Sequence, residues 1–219
     1  MDHQLSLGSL GLGGPSTRSI TFFGASSDPA QTSPQLVYQS NGTAIYRLHD
    51  KGFKVILDRN SSNEQTIRKL LHEQNVSNFL PSSCRKRQVT DVTSFNRRPA
   101  LSFKWASGIT LKEWLQKIHA GLLVDLNVHL RAAMAIAKTL SDFHNGGVVY
   151  NCLKPENIVL APFEGECIAT LIHLSSAAVY RDGNIIDVDP AFEKQLKEVD
   201  LKSLGLVLNH FSRGGECSG

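Results

Sequence analysis

The feature that most limits what this chain can fold into is a change of hydrophobic period near Thr110. Before it, β-prone residues come in short runs separated by polar turns: "LVY" (36–38), "TAIYRL" (43–48), "FKVIL" (53–57), "VTDVTSF" (89–95) and "PALSFKW" (99–105). The Asp and Gly of "HDKG" suit a hairpin turn between the second and third runs, and "NRR" joins the last two. One helical segment, 61–80, interrupts them, with Ser and Asn as capping candidates and Ile67, Leu70 and Leu71 at helical spacing. From Thr110 onward the period is helical. "TLKEWLQKI" opens with Thr110 and has Glu113 three residues later, which is a capping box. "DLNVHLRAAMAIAKTLSDFHN" places Leu126, Leu130, Met134, Ala137 and Leu140 on one expected core face and stops at Gly146-Gly147. A short hairpin, "NIVLA" and "IATLIHL", and a last helix, "VDLKSLGLVLNHF", complete the order. Strands first and helices after give an α+β fold.

Composition narrows the function classes. With 219 residues, 41% of them hydrophobic, the chain can bury a sizeable core as one domain or a two-lobed one. The net charge of +3 is mild, and the basic run Arg85-Lys86-Arg87 reads as a solvated loop, so neither a nucleic-acid nor a membrane partner is expected. Cys84, Cys152, Cys167 and Cys217 are far apart and show no paired metal-ligand spacing, which fits a reducing, cytoplasmic setting. Residues 1–35 are rich in Gly, Ser and Pro and read as a flexible arm. Trp105 and Trp114 read as packing anchors, and His119 and His129 as helical surface or core filler.

Three stretches carry a resemblance. "FHNGGVVYNCLKPENIVL" (143–160) resembles the catalytic loop of protein kinases, "TLIHLSSA" (170–177) the metal-binding segment that follows it, and "VDLKSLGLVL" (199–208) the helix buried in the large lobe. The likeness spans roughly residues 36–215 and rests most on Lys154, Pro155, Glu156 and Asn157, in unbroken order at the right distance from His144. "RPALSFKWASGITLKEWL" further resembles the kinase-like front domain of large sensor proteins that also carry an ATPase module and a histidine kinase. The resemblance implies a two-lobed kinase-like fold, with a β-rich lobe over 36–105 and a helical lobe over 106–219 that stops after the buried helix. His144 and Asp200 would tie the catalytic loop to that helix.

Phosphoryl transfer needs metal ions, a lysine on the phosphates and a carboxylate that orients the attacking hydroxyl. By the same resemblance, Cys152 stands where the carboxylate belongs and His173 where the metal-binding Asp belongs; a neutral imidazole is a poor ligand for Mg²⁺. "VILD" in the third strand puts Asp58 at the phosphate lysine and Ile56 at the small residue beside adenine; Lys54 could supply the charge only by a register shift. Of the glycine-rich loop only Gly42 survives, with Tyr38, Ser40 and Thr43 at the other positions and Ile45 beyond them. Glu73 matches the helix glutamate that pairs with the lysine, and Lys154 and Asn157 are kept, Asn157 to hold the loop rather than a metal. The expectation is a pseudokinase with no cofactor and no metal, acting through a protein partner or downstream domains of a longer chain. Two alternatives stand beside it. One is a weak ATP-binding or atypical serine/threonine kinase; the other is a thiol or soft-metal site formed by Cys152 and His173.

Overall fold

A computed structural model describes residues 33–40, 42–57, 62–121, 124–163, 165–180 and 190–213. Asp58, Asn41, Cys217, most of the N-terminal arm and residues 181–189 lie outside the described residues. The architecture is mixed α+β. A five-stranded antiparallel sheet has the order β1-β2-β3-β5-β4, from β1 (Gln35–Gln39), β2 (Thr43–Leu48), β3 (Lys51–Ile56), β4 (Val89–Phe95) and β5 (Arg98–Lys104). Its turns obey their residues: His49 takes a positive φ of 53° between β2 and β3, and Asn96 and Arg97 take 50° and 62° between β4 and β5. Two consecutive left-handed residues match the twist of a tight hairpin.

Helix α1 (Asn63–Phe79) starts at Ser62, whose hydroxyl accepts from the Gln65 amide, and packs against β4 and β5. Its inner face carries Leu70, Glu73, Val76 and Ser77, whereas Ile67 and Leu71 stay exposed. Ser77 is buried because its hydroxyl donates to the Arg87 carbonyl and accepts from the Val89 amide, stitching the helix to the start of β4.

The helical half begins with β6 (Ile109–Thr110) and α2 (Leu111–His119), where the capping box of Thr110 and Glu113 is formed in both directions. Helix α3 (Leu126–Asn145) ends at Gly146. β7 (Val148–Val149) pairs with β10 (Ala178–Val179), and β8 (Ile158–Phe163) lies between β6 and β9 (Glu166–Leu171). Helix α4 (Pro190–Arg213) closes the described chain, its first turn including residues 190–192 of "DPAF". One apolar cluster joins the end of α1 (Val76, Leu80) to α2 (Trp114), α3 (Ile136, Phe143), Tyr150, β8 and β9, and reaches α4 at Val207. Trp114 lies in it, beside His129 and Phe211. His119 is exposed and Trp105 half-buried. No helix of the described residues is long and apolar enough to cross a membrane.

The expected core face of α3 holds at Leu140, which is 1% exposed, and is corrected toward the N-terminal end of the helix. Leu126, Leu130 and Met134 are 70%, 52% and 71% exposed, and the buried face is Ala132, Ile136, Thr139, Leu140 and Phe143. Helix α3 carries two apolar stripes. The one facing inward contains the phenylalanine and a threonine whose hydroxyl donates to the Ala169 carbonyl of β9, so the polar group is satisfied where it is buried.

Candidate functional site

The site forms where β3, α1, the loop after β7 and the segment after β9 converge. Alternation in β3 sends Lys54 to the α1 side, opposite Ile45 of β2. Its ammonium reaches Glu73 Oε2 at 2.5 Å, and both side chains are buried, 5% and 0% exposed. This corrects the register expected for the third strand. Lys54 is the cation that meets the α1 glutamate, no slip of the strand is required, and Ile56 falls opposite Thr43, two residues beyond it. Glu73 is fully enclosed and stands where the expected helix glutamate meets a lysine. Burial alone would raise its pKa, but Lys54, and after it Arg87, hold the carboxyl below its ordinary value.

Arg87 was not expected here. The basic run is solvated only in part: Arg85 is exposed, Lys86 half-buried, and Arg87 is 5% exposed with its guanidinium 4.0 Å from the Phe103 ring centre. A backbone bridge causes the inward turn, because the Arg87 amide donates to the Leu171 carbonyl and the Leu171 amide donates to the Arg85 carbonyl. Phe103 in turn lies over Gly52, its partner across the ladder; a Cβ on Gly52 would sit 2.1 Å from Phe103 Cε2.

The loop after β7 is held from below by Asp200 of α4. Its Oδ2 accepts from the Tyr150 amide at 2.7 Å and meets His144 Nε2 at 2.9 Å, while Oδ1 accepts from the Asn151 amide at 2.7 Å. With three partners in the interior, a carboxylate at 0% exposure is tolerated. Asn151 adopts a positive φ of 58°, a conformation an asparagine accepts, and its side-chain amide donates to the Ser176 carbonyl. Asn157 closes the turn Pro155–Asn157 by donating from Nδ2 to the Cys152 carbonyl at 2.9 Å and to Cys152 Sγ at 3.1 Å.

The segment after β9 supplies His173. Its backbone amide donates to the Tyr150 hydroxyl, and its Nε2 pairs with Ser175 Oγ at 2.7 Å. Burial first, and then the positive charges of Lys54, Arg87 and Lys154 against the opposing Glu73, push its pKa down to about 4. The ring is neutral at physiological pH. Burial raises the Tyr150 phenol far above its usual range, so it stays a neutral bridge. His72 of α1 reaches the Ala177 carbonyl at 2.9 Å, fixing the helix against this segment.

Of the expected residues, the structure therefore gathers Glu73, His173, Cys152 and Asn157, with the Lys154 charge near His173 although its side chain is exposed. The glycine-loop residues stand apart: Tyr38 is 54% exposed, Ile45 and Ile56 are half-buried on the Lys54 face, and nothing lies within 4 Å of where a Gly42 Cβ would be. Cys152 Sγ accepts from Asn157 and His173 Nε2 pairs with Ser175. Among the described residues no group of three or more His, Cys, Asp or Glu side chains is placed to hold a metal ion. Arg87, Phe103 and Tyr150 carry no motif signal that places them here. Lys54 does, as the lysine on the same face as Ile45 once the β2–β3 turn is counted as two residues, without the register shift expected of it. No protein-family model and no curated protein matches the chain.

Proposed function

We propose that the chain is a protein-kinase-like domain that does not transfer phosphate and serves as a regulatory or scaffolding protein-interaction module. What supports the reading is the division between framework and chemistry. On the framework side, the buried Lys54–Glu73 pair and the Asp200 clamp on His144, Tyr150 and Asn151 match the roles the resemblance assigns. On the chemical side, the position of the hydroxyl-orienting carboxylate is a thiol that accepts a hydrogen bond from Asn157, and the position of the metal-binding carboxylate is a neutral imidazole bonded to Ser175. The observation that carries the proposal is the field around His173. The positive charges of Lys54, Arg87 and Lys154 act on it, and the carboxylate that opposes them, Glu73, is already bound to Lys54.

That donor set does not fit Mg²⁺, which takes hard oxygen ligands. The metal would meet an imidazole, a thiol and an amide whose nitrogen faces Cys152, in the positive field of Lys54, Arg87 and Lys154. The test is incubation of the purified protein with γ-labelled ATP, a divalent ion and a generic protein acceptor. The expected result is no label above background, and Mg²⁺-dependent labelling abolished by Lys54→Met overturns the proposal.

A second reading, a nucleotide binder without catalysis, is favoured by one observation. The lysine that would meet the phosphates is present, as Lys54, rather than replaced by Asp58. Against it, Gly52 stands two residues before Lys54, where a small residue would leave room for adenine, and the Phe103 ring already occupies that room. Thermal unfolding with ATP, with and without Mg²⁺, separates the two: an unchanged midpoint supports the interaction module, and a saturable rise supports the binder.

A further inference from the structure

We infer that the groove beside the loop after α1 is a docking surface for an acidic peptide segment of a partner protein. This gives the interaction module proposed above a surface, but its test does not involve nucleotide, so the two can fail separately. The groove holds about 200 Å³ and runs between the end of β5 and β9, lined by Arg85, Lys86, Gln88, Lys104, Trp105 and Thr170 among others. Four cations line it from two separate segments, Arg85, Lys86 and Arg87 before β4 and Lys104 at the end of β5, and none of its lining residues is acidic.

Its walls are built rather than loose. The loop is pinned to β9 by the paired bonds between Arg85, Arg87 and Leu171, and to β5 by the Lys104 amide donating to the Gln88 carbonyl at 2.8 Å. The Lys86 ammonium donates to the carbonyls of Leu80 and Pro81, which fixes its charge at the rim. Asp142, whose carbonyl accepts from the Cys84 thiol, is engaged by Lys138 of α3 at 3.3 Å. A second observation points to an anion. Lys104 stands directly opposite Lys51 across the β3–β5 ladder, and both are exposed. Like charges facing each other on a sheet cost stability. An acidic ligand lying across that end of the two strands would neutralise the pair. The indole of Trp105, half-buried with the Arg47 guanidinium 5.0 Å from its ring centre, adds an apolar surface that lets a peptide be held by more than charge. The volume suits a few residues of extended chain, not a folded domain.

The experiment titrates the whole chain with fluorescein-labelled hexaglutamate, following probe anisotropy and tryptophan emission together, with hexalysine as the control peptide. Saturable binding that weakens with added salt is expected, because exposed charges are screened within about 8 Å at physiological ionic strength. Lys104→Glu and Arg85→Glu should each weaken it about tenfold or more. Arg97→Glu, in the exposed β4–β5 turn, and Arg98→Glu, at the exposed start of β5, should leave it within about twofold. Trp105→Phe should abolish the emission change while anisotropy still reports binding. No saturable binding at low salt, or equal weakening by the turn variants, overturns the proposal. So does a single-stranded oligonucleotide that binds more tightly than the peptide with the same Lys104 dependence, since the groove would then serve nucleic acid.

Discussion

Gly52 and Phe103 meet across the β3–β5 ladder at a distance that leaves no room for a methyl group: a Cβ on Gly52 would lie 2.1 Å from Cε2 and 2.4 Å from Cζ of the ring. The ring is itself held on its other side by the Arg87 guanidinium and is 1% exposed, so it has nowhere to retreat without breaking that contact. Gly52→Ala is therefore expected to destabilise the fold by about 1–3 kcal/mol, as overpacked cores do. Urea unfolding measures it. A loss below about 0.5 kcal/mol would mean that the ring yields freely and does not plug the space over Gly52.

The Lys54–Glu73 pair invites a cycle of substitutions. Two buried charges are tolerated because each neutralises the other, so removing one strands its partner. Lys54→Met is expected to cost about 3–5 kcal/mol, and Lys54→Met with Glu73→Leu together should cost less than Lys54→Met alone. The nearby Arg87 softens the first loss, since its charge also acts on Glu73. An additive double variant in equilibrium unfolding would show that the two side chains do not interact.

That pair also marks the limit of what the chain's letters disclose. Local chemistry was readable: Thr110 and Glu113 cap α2 through bonds spanning three residues, and β2 begins and ends where its β-prone run does. The facing of β3 was not readable from β3 alone. Lys51, Gly52, Phe53, Lys54, Val55 and Ile56 offer a cation and an apolar residue to both sides of the sheet, and the choice is made by Glu73, 19 residues away on α1. Arg87 is hidden for the same reason. Nothing in "RKR" distinguishes its third member until the bridge to Leu171 turns it under Phe103. Contacts fixed within a turn of helix or a hairpin are written in neighbouring residues, whereas those fixed by two elements meeting depend on both.

His173 gives the molecule an acid-sensitive window. Its ordinary value of 6.5 is pushed down to about 4 in the fold, so between those two pH values the unfolded chain binds a proton that the folded one refuses. Stability from this residue is complete above about 6.5 and is lost as pH falls toward 4. The full difference corresponds to about 3 kcal/mol, and solvent at the partly exposed ring brings the expected loss to about 2 kcal/mol. Glu73, held below its ordinary 4.5, adds a further loss only at lower pH, because a depressed carboxyl contributes stability that disappears as it protonates. Urea midpoints at closely spaced pH values should fall from pH 6.5 to 4.5, and His173→Gln should flatten that stretch. An equally steep slope in the variant would place the titration elsewhere.

Helix α3 offers the sharpest contrast between two stripes on one element. Leu130 and Met134 belong to the stripe whose spacing reads as a core face, yet they are 52% and 71% exposed, whereas Ile136, one turn beyond Ala132, is 0% exposed. Truncating Ile136 to Ala leaves a void among Leu140, Phe143 and Leu171 and is expected to cost about 2–5 kcal/mol. Leu130→Glu and Met134→Glu place a carboxylate in solvent on a helix that already tolerates charge nearby at Arg131 and Lys138, so each should change stability by no more than about 0.5 kcal/mol. The ranking, rather than any single value, is decisive. If Met134→Glu unfolds the chain as readily as Ile136→Ala, the inward and outward faces of α3 have been exchanged, and with them the seat of the Thr139 hydroxyl against Ala169 and the footing of the loop that Asp200 and His144 hold.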